Sequence, residues 1–162
     1  MPDKIKLLIV DDEIKFLNSI AQRLEMRDFD VTKASNGRMA IDAARAGKFD
    51  LALLDLKMPG MDGTEVLGIL KNEHKYLEVI ILTGHGSVDS AVECTKLGAF
   101  SYLPKPYELE KLLETLKHAY EARLTKKFKQ DEERMDKIMK LATGSSALSI
   151  LRELRKLDDE EK

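Results

Sequence analysis

The stretch Leu51–Gly63, LALLDLKMPGMDG, decides the fold. Four apolar residues in a row suit a short strand covered on both faces, as in a parallel sheet. The run stops on a carboxylate, Asp55, and breaks into a Pro-Gly loop. A buried strand that ends by presenting an acid needs a reason for that acid. The reason lies in what ends the other strands.

On either side of this stretch the pattern recurs. IKLLIV (Ile5–Val10) is a first strand-like run, and Ile14, Leu17, Ile20, Ala21 and Leu24 follow at helical spacing. FDVTKA alternates more weakly, SNG punctuates, and RMAIDAARAG forms a helix closed by Gly47. GTEVLGILKNEH is a helix and EVIILTG a fourth strand. SVDSAVECTKLG is a helix capped by Ser87 and ended by Gly98. AFSYLPKP is the fifth strand, before a helix with apolar Leu109, Leu112, Leu113, Leu116 and Tyr120. Five β-α units in strict alternation predict an α/β fold, a doubly wound parallel sheet with helices on both faces and right-handed crossovers.

Composition narrows the function. The chain has 162 residues, enough for one domain and an appendage. Charged residues make up 35% but nearly cancel, to a net −2, which speaks against a dedicated nucleic-acid or membrane surface. A single cysteine, Cys94, forbids an internal disulfide and fits a reducing compartment. The N-terminal apolar run is too short for a signal peptide or a membrane span. The expectation is a soluble cytoplasmic protein.

In an open parallel sheet the carboxyl ends of the strands share one edge, and ligands bind there. Strand one ends in Asp11, Asp12 and Glu13, strand three in Asp55, strand four in Thr83, and strand five near Tyr102 and Lys105. Strand two ends in KASNG, which offers no comparable group. With strand two at the edge, the order 2-1-3-4-5 sets the other four tips side by side. Like charges about 4 Å apart repel by roughly 4 kcal/mol even at an effective dielectric near 20. Crowded carboxylates therefore take up protons, pair with cations or bind metal. Lys105 offsets one charge, and the rest favour a hard divalent ion such as Mg2+. A carboxylate, a hydroxyl, an ammonium and Mg2+ equip a site for phosphoryl transfer, with Asp55 as nucleophile. Alone, each residue has a plainer reading: helix N-cap for Asp11 or Asp12, turn residue for Thr83, solvated lysine for Lys105. Their conjunction at four strand tips points to a site.

LLIVDDE, LALLDLKMPGMDG, VIILTGHG and GAFSYLPKPY together resemble the receiver domain of two-component response regulators, from about Lys4 to Leu124. The resemblance implies a flavodoxin-like (βα)5 fold with strand order 2-1-3-4-5. It implies that Asp55 accepts a phosphoryl group from a sensor histidine kinase or phosphotransfer protein. Asp12 and Asp55 would ligate Mg2+ with the backbone carbonyl of Lys57, Asp11 helping through water or by its field. Lys105 would pair with the phosphoryl oxygens, Thr83 would hydrogen-bond them, and Tyr102 would swing inward. The face of the fourth helix, fifth strand and fifth helix would then change for a downstream partner. Glu13, His85 and Pro106 would flank the site, with a cis Lys105-Pro106 bond. A phosphohydrolase of the haloacid-dehalogenase type would carry an acid two residues after its nucleophile. Lys57 stands there instead, which favours a switch over a conventional enzyme.

From Thr125 the composition shifts. The last 38 residues hold ten Lys and Arg and nine Asp and Glu, the mark of a solvated helical segment. Glu108 to Thr143 contains no Gly or Pro, so the fifth helix is expected to run on well past the receiver. Leu124, Phe128, Met135, Ile138 and Ala142 fit a heptad seam, weakened by Asp131. TGSS breaks the pattern, and ALSILRELRKL restarts a helix with a Leu148, Leu151, Leu154 stripe. The division is thus a receiver over residues 1–124 and a charged helical tail over 125–162. The tail would dimerise, fold back or dock a partner; alternatively it is the remnant of a longer regulator whose output domain is absent. A homodimer through the tail or the fourth-helix face is among the expected partners, while direct nucleic-acid and membrane contacts are not.

Overall fold

A computed structural model describes residues 4–84, 86–141 and 146–159. Five strands, β1 (Ile5–Val10), β2 (Phe29–Ala34), β3 (Leu51–Leu54), β4 (Glu78–Thr83) and β5 (Ser101–Pro104), pair in parallel in the order β2-β1-β3-β4-β5. Every residue of β3 and β4 is buried. The edge strands β2 and β5 are half-exposed in part. Continuous apolar runs therefore occupy the centre, where helices cover both faces.

Alternate side chains serve two cores. Leu7, Ile9, Leu51, Leu53, Ile80 and Leu82 face α1 (Ile14–Glu25) and α5 (Leu109–Lys127). Leu8, Val10, Ala52, Leu54, Val79 and Ile81 face α2 (Gly37–Ala46), α3 (Gly63–Glu73) and α4 (Val88–Lys96). Local chemistry sets the helix starts. Asn36 accepts from the Met39 amide at 2.8 Å, and Asp62 from the Thr64 amide at 3.1 Å. Ser87 and Ser90 form a reciprocal capping box. Gly63 lets α3 begin hard against the end of β3. A Cβ there would lie 2.5 Å from the Leu56 Cα and 2.7 Å from the Asp55 carbonyl oxygen.

The end of the chain departs from the long-helix expectation. α5 stops at Lys127, and the chain turns into α6 (Glu132–Leu141) and then α7 (Ala147–Asp159). Asp131 explains the stop. Its amide donates to the Phe128 carbonyl at 2.9 Å, and its carboxylate accepts from the Arg134 amide at 3.1 Å. A short acid that bonds its neighbouring backbone starts a new helix in preference to continuing the old one. Leu124, Phe128 and Ile138, expected on an open seam, are buried in the core on the α1 and α5 side. Ala142 lies outside the described residues.

Folding back is the use the tail makes of itself here. α7 buries Ile150, Leu151, Leu154 and Leu157 in the same core, a stripe rotated from the expected one, with Leu148 only partly buried. Its polar side is anchored as well. The Tyr120 hydroxyl donates to Asp158 at 2.6 Å, joined there by Arg123 at 3.2 Å and Lys127 at 2.5 Å. Arg155 donates to Asp50 and to the Tyr120 hydroxyl, both at 3.1 Å. Asp50 also pairs with Arg123 at 3.1 Å and accepts from the Lys6 amide at 2.9 Å. Burial works against the ionised Asp158, but the Lys127 and Tyr120 hydrogen bonds outweigh it and hold its pKa below the usual carboxylate value. Burial, with the carboxylates of Asp50 and Asp158, pushes the Tyr120 phenol up. Among the described residues no helix is long and apolar enough to cross a membrane.

Candidate functional site

The carboxyl ends of β1, β3, β4 and β5 form the site edge. β1 runs out into Asp11, 2% exposed, and the half-buried Asp12. β3 ends at Asp55, which is 1% exposed. Oxygens of Asp11, Asp12 and Asp55 all lie within 4.8 Å of one another. β4 ends in the buried Thr83, whose carbonyl accepts from the Lys105 amide at 3.0 Å and so ties the tip of β5 to that of β4.

Lys105 reaches back over this edge. Its ammonium donates to Asp11 at 2.6 Å and to the exposed Glu13 at 3.2 Å, and stands 3.8 Å from Asp55. Burial opposes its charge, yet the hydrogen bond and charge of Asp11, with those of Asp55 and Glu13, raise its pKa on balance. Asp11 also shifts upward. Burial and the nearby Asp55 charge outweigh the hydrogen bonds from Lys105 and from the Glu13 amide. The carboxylates therefore outnumber the cation, and Asp11 carries part of the strain.

Asp55 is answered only by the Lys105 charge at 3.8 Å, beyond hydrogen-bond distance. Both of its carboxylate oxygens are buried and, among the described residues, lack a hydrogen-bond partner. A buried carboxylate in that state is costly, and a divalent cation or hydrogen-bond donors would relieve it. Three convergent carboxylates, hard oxygen donors with this unmet demand, fit Mg2+.

The remaining expected residues surround this centre. Lys57 is exposed and lines an open cleft with Asp12, Glu13, Met58 and Pro59. Tyr102 is half-buried, its hydroxyl 3.0 Å from the Ser90 hydroxyl of α4. Gly86 passes beneath that ring, and a Cβ there would lie 2.1 Å from the Tyr102 hydroxyl. Pro106 follows Lys105 through a cis bond, as expected, and is exposed. His85 lies outside the described residues. Two aromatic residues beyond the expected set, Phe16 and Tyr107, join the site. The Phe16 ring centroid is 4.1 Å from the Lys105 ammonium, and Tyr107 meets Phe16 edge-on at 5.9 Å. The available signal was an aromatic residue one turn into α1 and another two places after Lys105.

Comparison with known proteins agrees with this geometry. The family described as response regulator receiver domain matches residues 7–117. The transcriptional regulatory protein ZraR of Klebsiella oxytoca is 38% identical over 117 residues, 72% of this chain. The chain spans about a quarter of that relative's length, 26%. A CheY-like response regulator receiver domain protein from Methanospirillum hungatei superposes with a TM-score of 0.73 at 31% identity, over 76% of this chain and 98% of that one. The response regulator TrrA of Thermotoga maritima, solved in complex with Mg2+-BeF, gives 0.65 at 29% identity over 71% and 98%.

Proposed function

The chain belongs to the response regulator receiver family, signalling switches and not conventional enzymes, and on that footing we propose that Asp55 is its phosphoryl acceptor. The donor is the phosphohistidine of a sensor histidine kinase or phosphotransfer protein. The observation that carries the reading is Asp55 itself, buried just beyond a fully buried strand, with neither oxygen hydrogen-bonded among the described residues.

An Asp55 carboxylate oxygen attacks the phosphorus. The phosphorus–nitrogen bond breaks, and the leaving imidazole keeps the electron pair and takes a proton from water. Asp12 and Asp55, with the Lys57 backbone carbonyl and with Asp11 beside them, would hold Mg2+, which would supply positive charge against the phosphoryl oxygens. Support for the metal comes from the acidic cluster and from the similar Thermotoga maritima receiver solved with Mg2+ and BeF. Lys105, 3.8 Å from Asp55, meets the phosphoryl oxygens with its ammonium. Thr83 hydrogen-bonds them from the end of β4. Tyr102 leaves Ser90 and turns inward.

The phosphoryl group adds roughly −1.5 to −2 charge beside Lys105, enough to bias a two-state element. The responding surface is the face of α4, β5 and α5. Val88 and Val92 stand out from α4 there, 81% and 49% exposed, a surface suited to a downstream protein or a second copy. The compartment is the cytoplasm, where such kinases present their phosphohistidine.

Incubation with Mg2+ and acetyl phosphate tests the reading by intact mass. A one-phosphoryl adduct that disappears in Asp55→Asn is expected. An adduct that persists in Asp55→Asn would sink it.

A further inference from the structure

The Lys105 ammonium is enclosed on four sides, and only three of them are acidic. Asp11, Glu13 and Asp55 stand at 2.6, 3.2 and 3.8 Å, and the Phe16 ring closes the fourth side at 4.1 Å from its centroid. An ammonium within about 6 Å of a ring face is drawn to the ring's negative quadrupole. The ring is itself fixed: Tyr107 meets it edge-on at an interplanar angle of 85°, and the Arg23 guanidinium lies 6.0 Å from the Tyr107 ring centre. Cation, ring, ring and cation thus form one chain of contacts from α1 to the loop after β5, and the Lys105 side chain is left 11% exposed.

We propose that Phe16 is a positioning residue for Lys105 in phosphoryl acceptance, an inference that rests on Asp55 being the acceptor. An ammonium has three N–H donors. Asp11 and Glu13 take two of them. The ring, 4.1 Å away, limits how far the side chain can swing toward α1. The ammonium is thereby kept 3.8 Å from Asp55, where the phosphoryl group arrives, with a donor to spare for it. Removing the ring frees that side, and Lys105 spends less of its time aimed at the acceptor. Phe16 touches no reacting atom, so its effect passes entirely through Lys105.

The test compares wild type, Phe16→Leu and Phe16→Tyr. Leucine keeps the apolar bulk without the quadrupole, and tyrosine keeps the ring. One readout is the proton shift of the Lys105 ε-methylene, which a ring face moves upfield. The other is the second-order rate constant for labelling of Asp55 by acetyl phosphate with Mg2+. Phe16→Leu is expected to lose the upfield shift and to slow labelling about fivefold, within the range for one cation–π contact. Phe16→Tyr is expected to keep both. A wild-type rate in Phe16→Leu, or equal slowing in Phe16→Tyr, overturns the proposal. An unchanged ε-methylene shift in Phe16→Leu overturns the contact itself. Absence of any Asp55 adduct in wild type removes the acceptor reading beneath it, a failure separate from these.

Discussion

Asp55 is a carboxylate held in readiness, and its energetics make it testable without a kinase. Two buried oxygens, without hydrogen-bond partners among the described residues, raise the free energy of the metal-free protein. Mg2+ should therefore raise the melting temperature, with a stabilisation of about 2.7 kcal/mol at one hundred times its Kd. The increment should shrink in Asp55→Asn, and equal increments in calorimetry would argue against this site. Gly86 offers a second check. Its Cβ would collide with the Tyr102 hydroxyl, so Gly86→Ala should drive the ring away from Ser90. Changed Tyr102 ring resonances in NMR would report the displacement. The charged members of the site were legible because each ends a strand, and parallel strands bring their ends together. Phe16 and Ser90 were not. Each acts on a residue far along the chain, and no local pattern announces that contact.

The helices show where periodicity succeeds and where it misleads. α2 and α4 start and stop close to their polar and glycine punctuation, Asn36 with Gly47 and Ser87 with Gly98, because caps and breakers are local chemistry. The fifth helix ends earlier than its periodicity predicts, because a missing Gly or Pro does not oblige a helix to continue and Asp131 caps the next one. α7 had a recognisable apolar stripe, but its rotation was set by what it packs on. Its charged side invites substitution. Arg155→Ala should cost about 3 kcal/mol in urea unfolding, the usual penalty for stripping one partner from a buried ion pair. The loss is tempered because Asp50 keeps Arg123 and the Lys6 amide. The pH response follows from Asp158. Its folded pKa lies below the unfolded value, so its stabilisation is full above the ordinary carboxylate range and is lost as pH falls through the folded pKa. Hydrogen exchange in α7 should speed up in that acid window, and Asp158→Asn should remove the dependence.

The body of the molecule does not end where the family match ends. Residues 7–117 carry the match, while the core on the α1 and α5 side continues through Phe128 and Ile138 to Leu157. Receiver and tail should therefore unfold in urea as one cooperative step. A chain cut after Lys127 should lose about 3 kcal/mol, less than its buried leucines suggest, because ordering α6 and α7 costs entropy. Two separate transitions for the full chain would contradict this. β3 draws a further consequence from the docked tail. It has a buried aspartate beyond each end, Asp50 before it and Asp55 after it, about 17 Å apart at the rise of a parallel strand. Asp50 is fully answered by Arg155, Arg123 and the Lys6 amide. A neutralised cluster projects only a short-range field. The tail thereby earths one end of the strand, and the potential at the other end is left for a cation and a phosphoryl group to set.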